Sequence, residues 1–173
     1  MDLKKLTKGE QILGGSALLL FILSFLPLWA KVEVDIPDVP GVDLGSVDDS
    51  QRFNLWDSYG FMAKLAIFLA LVAVIVILVR AAGNAVKPPV PFWQIYLGCA
   101  GLALLLMLIS ALTGPAGGGG GFGVEVSRGL IGLLGGIVLS AAMAFGAYMH
   151  MQEEGGSLSS PGTSANPPPP PAS

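Results

Sequence analysis

Four long apolar stretches, separated by polar or turn-rich segments, set the pattern of this chain. They cover residues 12–29, 61–79, 92–112 and 129–149. Each holds 18 to 21 residues, about 27 to 32 Å of helix, which matches the hydrocarbon core of a bilayer. The pattern predicts an all-α membrane protein, a four-transmembrane-helix bundle with spans over 12–30, 61–80, 92–112 and 129–150. A short N-terminus (1–11), an acidic loop (31–60), a tight turn (81–91), a glycine-rich loop (113–128) and a tail (151–173) complete the organisation.

Composition supports this reading. Apolar residues make up 53% of the 173 and charged residues only 12%, against about 25% in a typical soluble domain. Mean hydropathy is +0.70. A net charge of −3 provides no basic surface for nucleic acid. The single cysteine, Cys99, lies in an apolar block and has no second cysteine in the chain to bridge.

Lys4, Lys5 and Lys8 precede the first apolar block, so a secretory signal must be weighed. The block is long for a signal core, and bulky Leu28 and Trp29 before Ala30 make a poor cleavage site, so a retained span is expected. Pro27 is expected in its last turn, where a kink matters little. With the N-terminus inside, Lys4, Lys5, Lys8, Arg80 and Lys87 fall on the inner side and Lys31, Arg52, Lys64 and Arg128 on the outer. The three leading lysines decide the orientation, because the first span usually dominates. Both termini are therefore expected in the cytoplasm of a multi-pass cell-membrane protein.

Lys64 lies four residues inside the second apolar stretch, 60–83. In this orientation it sits about one turn below the outer surface, and its stem can lift the ammonium to the headgroups. A mid-bilayer lysine would cost roughly 2.5 to 3.5 kcal/mol, most of which this position avoids. Anchoring, or pairing with a loop acid, is the expectation; a charge in a transport path is the alternative.

In the first loop "KVEVDI" alternates as a strand does, and "PDVPGVDLG" breaks it. Phe53, Trp56 and Tyr59 then approach the membrane edge. Together with Trp29 and Trp93 these aromatics fit an interfacial belt, with a partner-binding surface as the other reading. Glu33, Asp35, Asp38, Asp43, Asp48, Asp49 and Asp57 against Lys31 and Arg52 give the loop a net −5. They lack the regular spacing of a calcium loop, so a solvated acidic surface is expected and no metal site. "GPAGGGGGFG" lacks the Lys and Ser/Thr of a phosphate loop and reads as a flexible linker. The tail cannot bury enough apolar surface to fold. Pro167 to Pro171 would form an extended polyproline helix, a ligand for a proline-reading domain or simply part of a disordered tail.

Gly132, Gly136, Ser140 and Ala144 recur every four residues and form a small-residue stripe on the fourth span. Close packing inside one bundle is expected; self-association into a homo-oligomer is the alternative. Gly98, Gly101 and Ala103 in the third span and Gly14, Gly15 and Ser16 in the first are looser sets. Catalytic chemistry is poorly provided for. The one histidine, His150, ends the fourth span, and no metal-binding or nucleophile motif accompanies it. Spans one, three and four carry no charge between their expected ends, which argues against a proton relay. No catalytic residue and no cofactor are assigned.

"LTKGEQILGGSALLLFILSFLPLW", "FNLWDSYGFMAKL", "VPFWQIYLG", "EVSRGLIGLLGG" and "HMQEEGG" resemble a family of small uncharacterised four-span membrane proteins of actinobacteria. The similarity covers most of residues 5–155, and it implies a four-span fold with no activity attached. "LPLW" closing the first span, a strand after it, and "LW" before the second are similar to the claudin layout. Claudins carry a cysteine pair in that loop, and this loop has none, so the similarity is one of architecture. The expected role is structural: a scaffold, accessory subunit or assembly partner in the cell envelope, whose partners are the bilayer and another membrane protein. A small transporter or channel component, with Lys64, Arg128 and Glu125 lining an outer vestibule, is the alternative.

Overall fold

The computed structural model describes residues 6–34, 51–82, 90–115 and 124–155. The acids Asp35, Asp38, Asp43, Asp48 and Asp49, together with Lys4, Lys5, Lys87, the run of five glycines and the proline-rich tail, lie outside the described residues. The elements in chain order are α1 (Lys8–Phe25), β1 (Ala30–Val34), β2 (Gln51–Phe53), α2 (Leu55–Ser58), α3 (Phe61–Ala81), α4 (Phe92–Thr113), β3 (Val124–Arg128) and α5 (Leu130–Glu153). The four long helices, α1, α3, α4 and α5, are each long and apolar enough to cross a membrane.

The first span is shifted from its expected place. It starts at Lys8 because Thr7 and Glu10 form a capping box. It ends at Phe25, two residues before Pro27, because a residue preceding proline is driven out of the helical region. Leu26 accordingly is extended (φ −75°, ψ 142°). Leu28 and Trp29 therefore lie beyond the helix and lead directly into β1.

Around the bundle, α1 lies beside α3 and α5, and α4 closes the ring between α3 and α5. The interior is built from small and medium side chains, among them Ala17, Ala63, Ala66, Ala70, Ala73, Ala100, Ala103 and Ala147, with Leu13, Leu20, Ile67 and Met143. Leu19, Phe68, Ile75, Leu105 and Val138 point outward, each more than half exposed, as a lipid-facing surface requires. The closest approach is between α1 and α5. A β-carbon on Gly146 would stand 2.7 Å from the Leu13 nitrogen and 2.8 Å from the Gly9 carbonyl oxygen.

At one end of the bundle the two long connections meet in an antiparallel sheet of order β2-β1-β3. Lys31 faces Arg52 on one side and Ser127 on the other. The strand expected from "KVEVDI" is β1. Its partner "VEVSR", β3, was expected only as part of the glycine-rich loop. It alternates with the two-residue period of a strand, but the period becomes structural only when a distant strand pairs with it.

A polar clamp as the candidate functional site

The capping box fixes the first member of the site. Thr7 Oγ1 accepts from the Glu10 amide at 3.2 Å, and Glu10 Oε2 accepts from the Thr7 amide at 3.0 Å. This turns the Glu10 carboxylate back into the bundle, where it is 1% exposed. A buried carboxylate needs charged or polar partners. Arg80, in the last turn of α3, donates from Nη1 to Glu10 Oε1 at 2.9 Å. Tyr96 on α4 donates its hydroxyl to the same oxygen at 3.2 Å.

Arg80 reaches α5 as well. Its Nη2 donates to Glu154 Oε1 at 2.8 Å, and its Nη1 lies 3.0 Å from His150 Nε2. His150 Nε2 also lies 3.3 Å from Glu154 Oε1, so the two side chains of α5 and Arg80 meet at one point. On its other side the ring is hydrogen-bonded through Nδ1 to Thr7 Oγ1 at 2.9 Å. His150 is fully buried and packs edge-on against Tyr96 with ring centroids 5.1 Å apart. The Arg80 guanidinium lies over the Phe92 ring, 5.1 Å from its centroid, a cation–π contact. The Gly9 amide completes the set by donating to Glu153 Oε2 at 3.3 Å. All four long helices thus contribute to one polar clamp at the end of the bundle opposite the sheet.

What this clamp can do chemically is limited by its own completeness. Both His150 nitrogens are occupied by protein atoms, and Glu10 has a partner on each oxygen. Arg80, one-third exposed, is the clamp's open side. No set of three His, Cys, Asp or Glu side chains able to hold a metal occurs among the described residues.

The residues singled out from the sequence are distributed otherwise. Lys64 lies in the first turn of α3, at the sheet end, half-buried and without an ion pair among the described residues. Arg128 donates to the carbonyls of Ala111 and Leu112 at 3.0 and 3.4 Å, so it closes the end of α4. The Glu125 side chain lies outside the described residues. Trp93 is half-buried at the start of α4.

Trp29 and Tyr59 differ from an interfacial belt, whose rings face lipid headgroups. They are 1% and 3% exposed and meet edge to face, 5.9 Å between centroids, inside the sheet end. Trp29 Nε1 donates to the Leu23 carbonyl at 2.8 Å, which also accepts from the Leu26 amide at 3.1 Å where α1 ends. Trp56 is half-buried and donates to Ser24 Oγ at 3.1 Å. The Tyr59 hydroxyl is buried and has no partner among the described residues. Burial pushes this phenol above its ordinary value, and nearby Arg128 opposes part of the rise.

Gly132 and Gly136 of the small stripe receive Trp29: a β-carbon on Gly136 would lie 2.7 Å from Trp29 Cη2. Ser140 is fully buried and bonds back to the Gly136 carbonyl at 2.7 Å. Ala144 is only half-buried, because a 3.6-residue helix drifts off a strict four-residue repeat. The buried line continues instead through Met143, Gly146, Ala147 and His150.

Sequence reasoning missed Glu10, Tyr96 and Glu154 and took Arg80 only as the close of a span. One signal was present: T-x-x-E at residues 7–10, a capping box just ahead of an apolar run. It places a carboxylate at the mouth of the bundle, but it does not name the arginine that meets it. No protein-family model, curated protein or solved structure matches the chain.

Proposed function

We propose that this is a non-enzymatic scaffold or accessory protein of the cell envelope, spanning the cell membrane four times with both termini in the cytoplasm. The observation that carries the reading is the self-satisfied clamp: Arg80 ties Glu10, His150 and Glu154 together across three helices, and Tyr96 joins from the fourth. Ion pathways keep intramembrane polar groups available to water or substrate. Here they are spent on one another at one end.

The rest of the interior supports the same reading. The buried hydroxyls of Ser16, Ser24, Ser110 and Ser140 each bond to a carbonyl of their own helix. Between clamp and sheet the described core is otherwise alanine, leucine, isoleucine and methionine. Lys64 then serves as an anchor at the outer surface, and the sheet forms a small outer cap.

Co-purification in mild detergent tests the proposal. A scaffold retains a stoichiometric membrane-protein partner, and the pure protein in vesicles passes no ions or small solutes. Solute flux by the pure protein, abolished by Lys64→Gln in a chain that still melts normally, would establish the transport alternative instead.

A further inference from the structure

The sheet end carries a groove of about 340 Å³, at the opposite end of the bundle from the clamp. Arg52, Lys31 and Ser127 stand directly opposite one another on β2, β1 and β3, so their side chains share one face of the sheet, and all three line the groove. Leu28, Leu130 and Ile131 supply its apolar wall. Leu130 and Ile131 are 67% and 70% exposed and lead from the groove onto the lipid-facing side of α5.

Lys31 and Arg52 stand directly opposite each other across a strand pair. Lys31 holds further contacts of its own, whereas Arg52 is exposed and makes no ion pair among the described residues. An anion seated on Arg52 would give its guanidinium a charge-assisted partner, and the guanidinium fork fits phosphate oxygens well. The neighbouring wall asks for something else: a hydrocarbon chain. Cations and exposed leucine and isoleucine adjoin where a long apolar helix begins, and a phospholipid presents the matching pair of chemistries at that level.

We propose that this groove binds an anionic phospholipid, with its phosphate on the Arg52 guanidinium and the first part of an acyl chain against Leu130 and Ile131. The proposal rests on the four helices crossing a membrane and not on the scaffold reading. It holds for either orientation, since each leaflet supplies headgroups.

The test uses the full chain, purified and delipidated in a mild non-ionic detergent. Phosphatidylglycerol, phosphatidylcholine and inorganic phosphate are each added, and binding is read by native mass spectrometry alongside the shift in melting temperature. Phosphatidylglycerol should bind more tightly than phosphatidylcholine and raise the melting temperature. Arg52→Gln should weaken phosphatidylglycerol about fivefold, the effect of one headgroup-level cation, while melting normally without lipid. Lys64→Gln, at the same end but outside the groove, should leave binding unchanged. Equal affinity for the two lipids, or unaltered binding by Arg52→Gln, overturns the proposal. An equal thermal shift from inorganic phosphate alone overturns it in favour of a small-anion site. Failure of the scaffold reading would show as solute flux, a separate measurement.

Discussion

At the residue scale the clamp rests on a carboxylate that has almost no access to water. Removing its cation leaves that charge buried, so Arg80→Leu should destabilise the protein by about 3 kcal/mol, the low end of the range for breaking a buried pair, since Arg80 is partly exposed. Glu10→Gln keeps an acceptor for Arg80 and Tyr96 and should cost about 1 kcal/mol. Glu10→Leu combined with Arg80→Leu should be milder than the two single losses added, because neither charge is then stranded. Thermal melting in detergent reads all four, and strict additivity would mean that the two side chains do not depend on each other. At the sheet end the balance is reversed. The Tyr59 hydroxyl is buried without a partner among the described residues, so Tyr59→Phe should be neutral or stabilising by up to about 1 kcal/mol. Its phenol titrates higher in the folded chain than the ordinary 10.0. The stability that this shift contributes is complete below that value and disappears as pH rises through the folded-state value. Melting curves above pH about 10 should therefore fall more steeply for wild type than for Tyr59→Phe.

At the element scale, glycines separate into two kinds by what surrounds them. Gly146 faces the α1 backbone, and a β-carbon there has no flexible side chain to push aside. Gly146→Leu should therefore force α1 and α5 apart and lower the melting temperature sharply. Gly136→Leu should do so too, by displacing Trp29. Gly101→Leu, on an exposed face of α4 with nothing within 4 Å, should melt like wild type. Equal losses at all three positions would mean that α1 and α5 do not meet as described. The four long helices were legible in the sequence because length and hydrophobicity are local properties. So was the close packing of Gly132 and Gly136, since small residues at helical spacing have few other uses in a membrane. Ala144 packs at the edge of the core and is only partly buried, because a four-residue repeat is not the helix's own period. The inward turn of Trp29 and Tyr59 was not legible: it follows from α1 stopping before Pro27, which leaves Trp29 free to fold beneath the sheet. The clamp was hidden because its members lie at residues 7, 10, 80, 96, 150 and 154 and are joined only by the ring order of the helices.

At the scale of the whole molecule, both ends of the bundle close on partners far apart in the chain. Reporter fusions after Gly114 should read as external, and fusions after Asn84 or Glu154 as cytoplasmic; an external reading at 154 would invert the proposed orientation and with it the role of Lys64. The pairing of α1 with α5, and of β1 with β3, has a further consequence in time. The ribosome delivers residue 10 long before residue 150, so Glu10 and Arg80 are both made before their last partners exist. A chain halted at residue 128 should carry an arginine with no α5 to receive it and an exposed row of glycine-matched backbone along α1. Such a fragment should be a target for membrane proteases, and the finished chain should resist them. Pulse-chase labelling should show rapid loss of the 1–128 fragment and its rescue by co-expressed 129–173. Equal lifetimes for the fragment and the full chain would mean that the final helix is an addition to a bundle already stable without it.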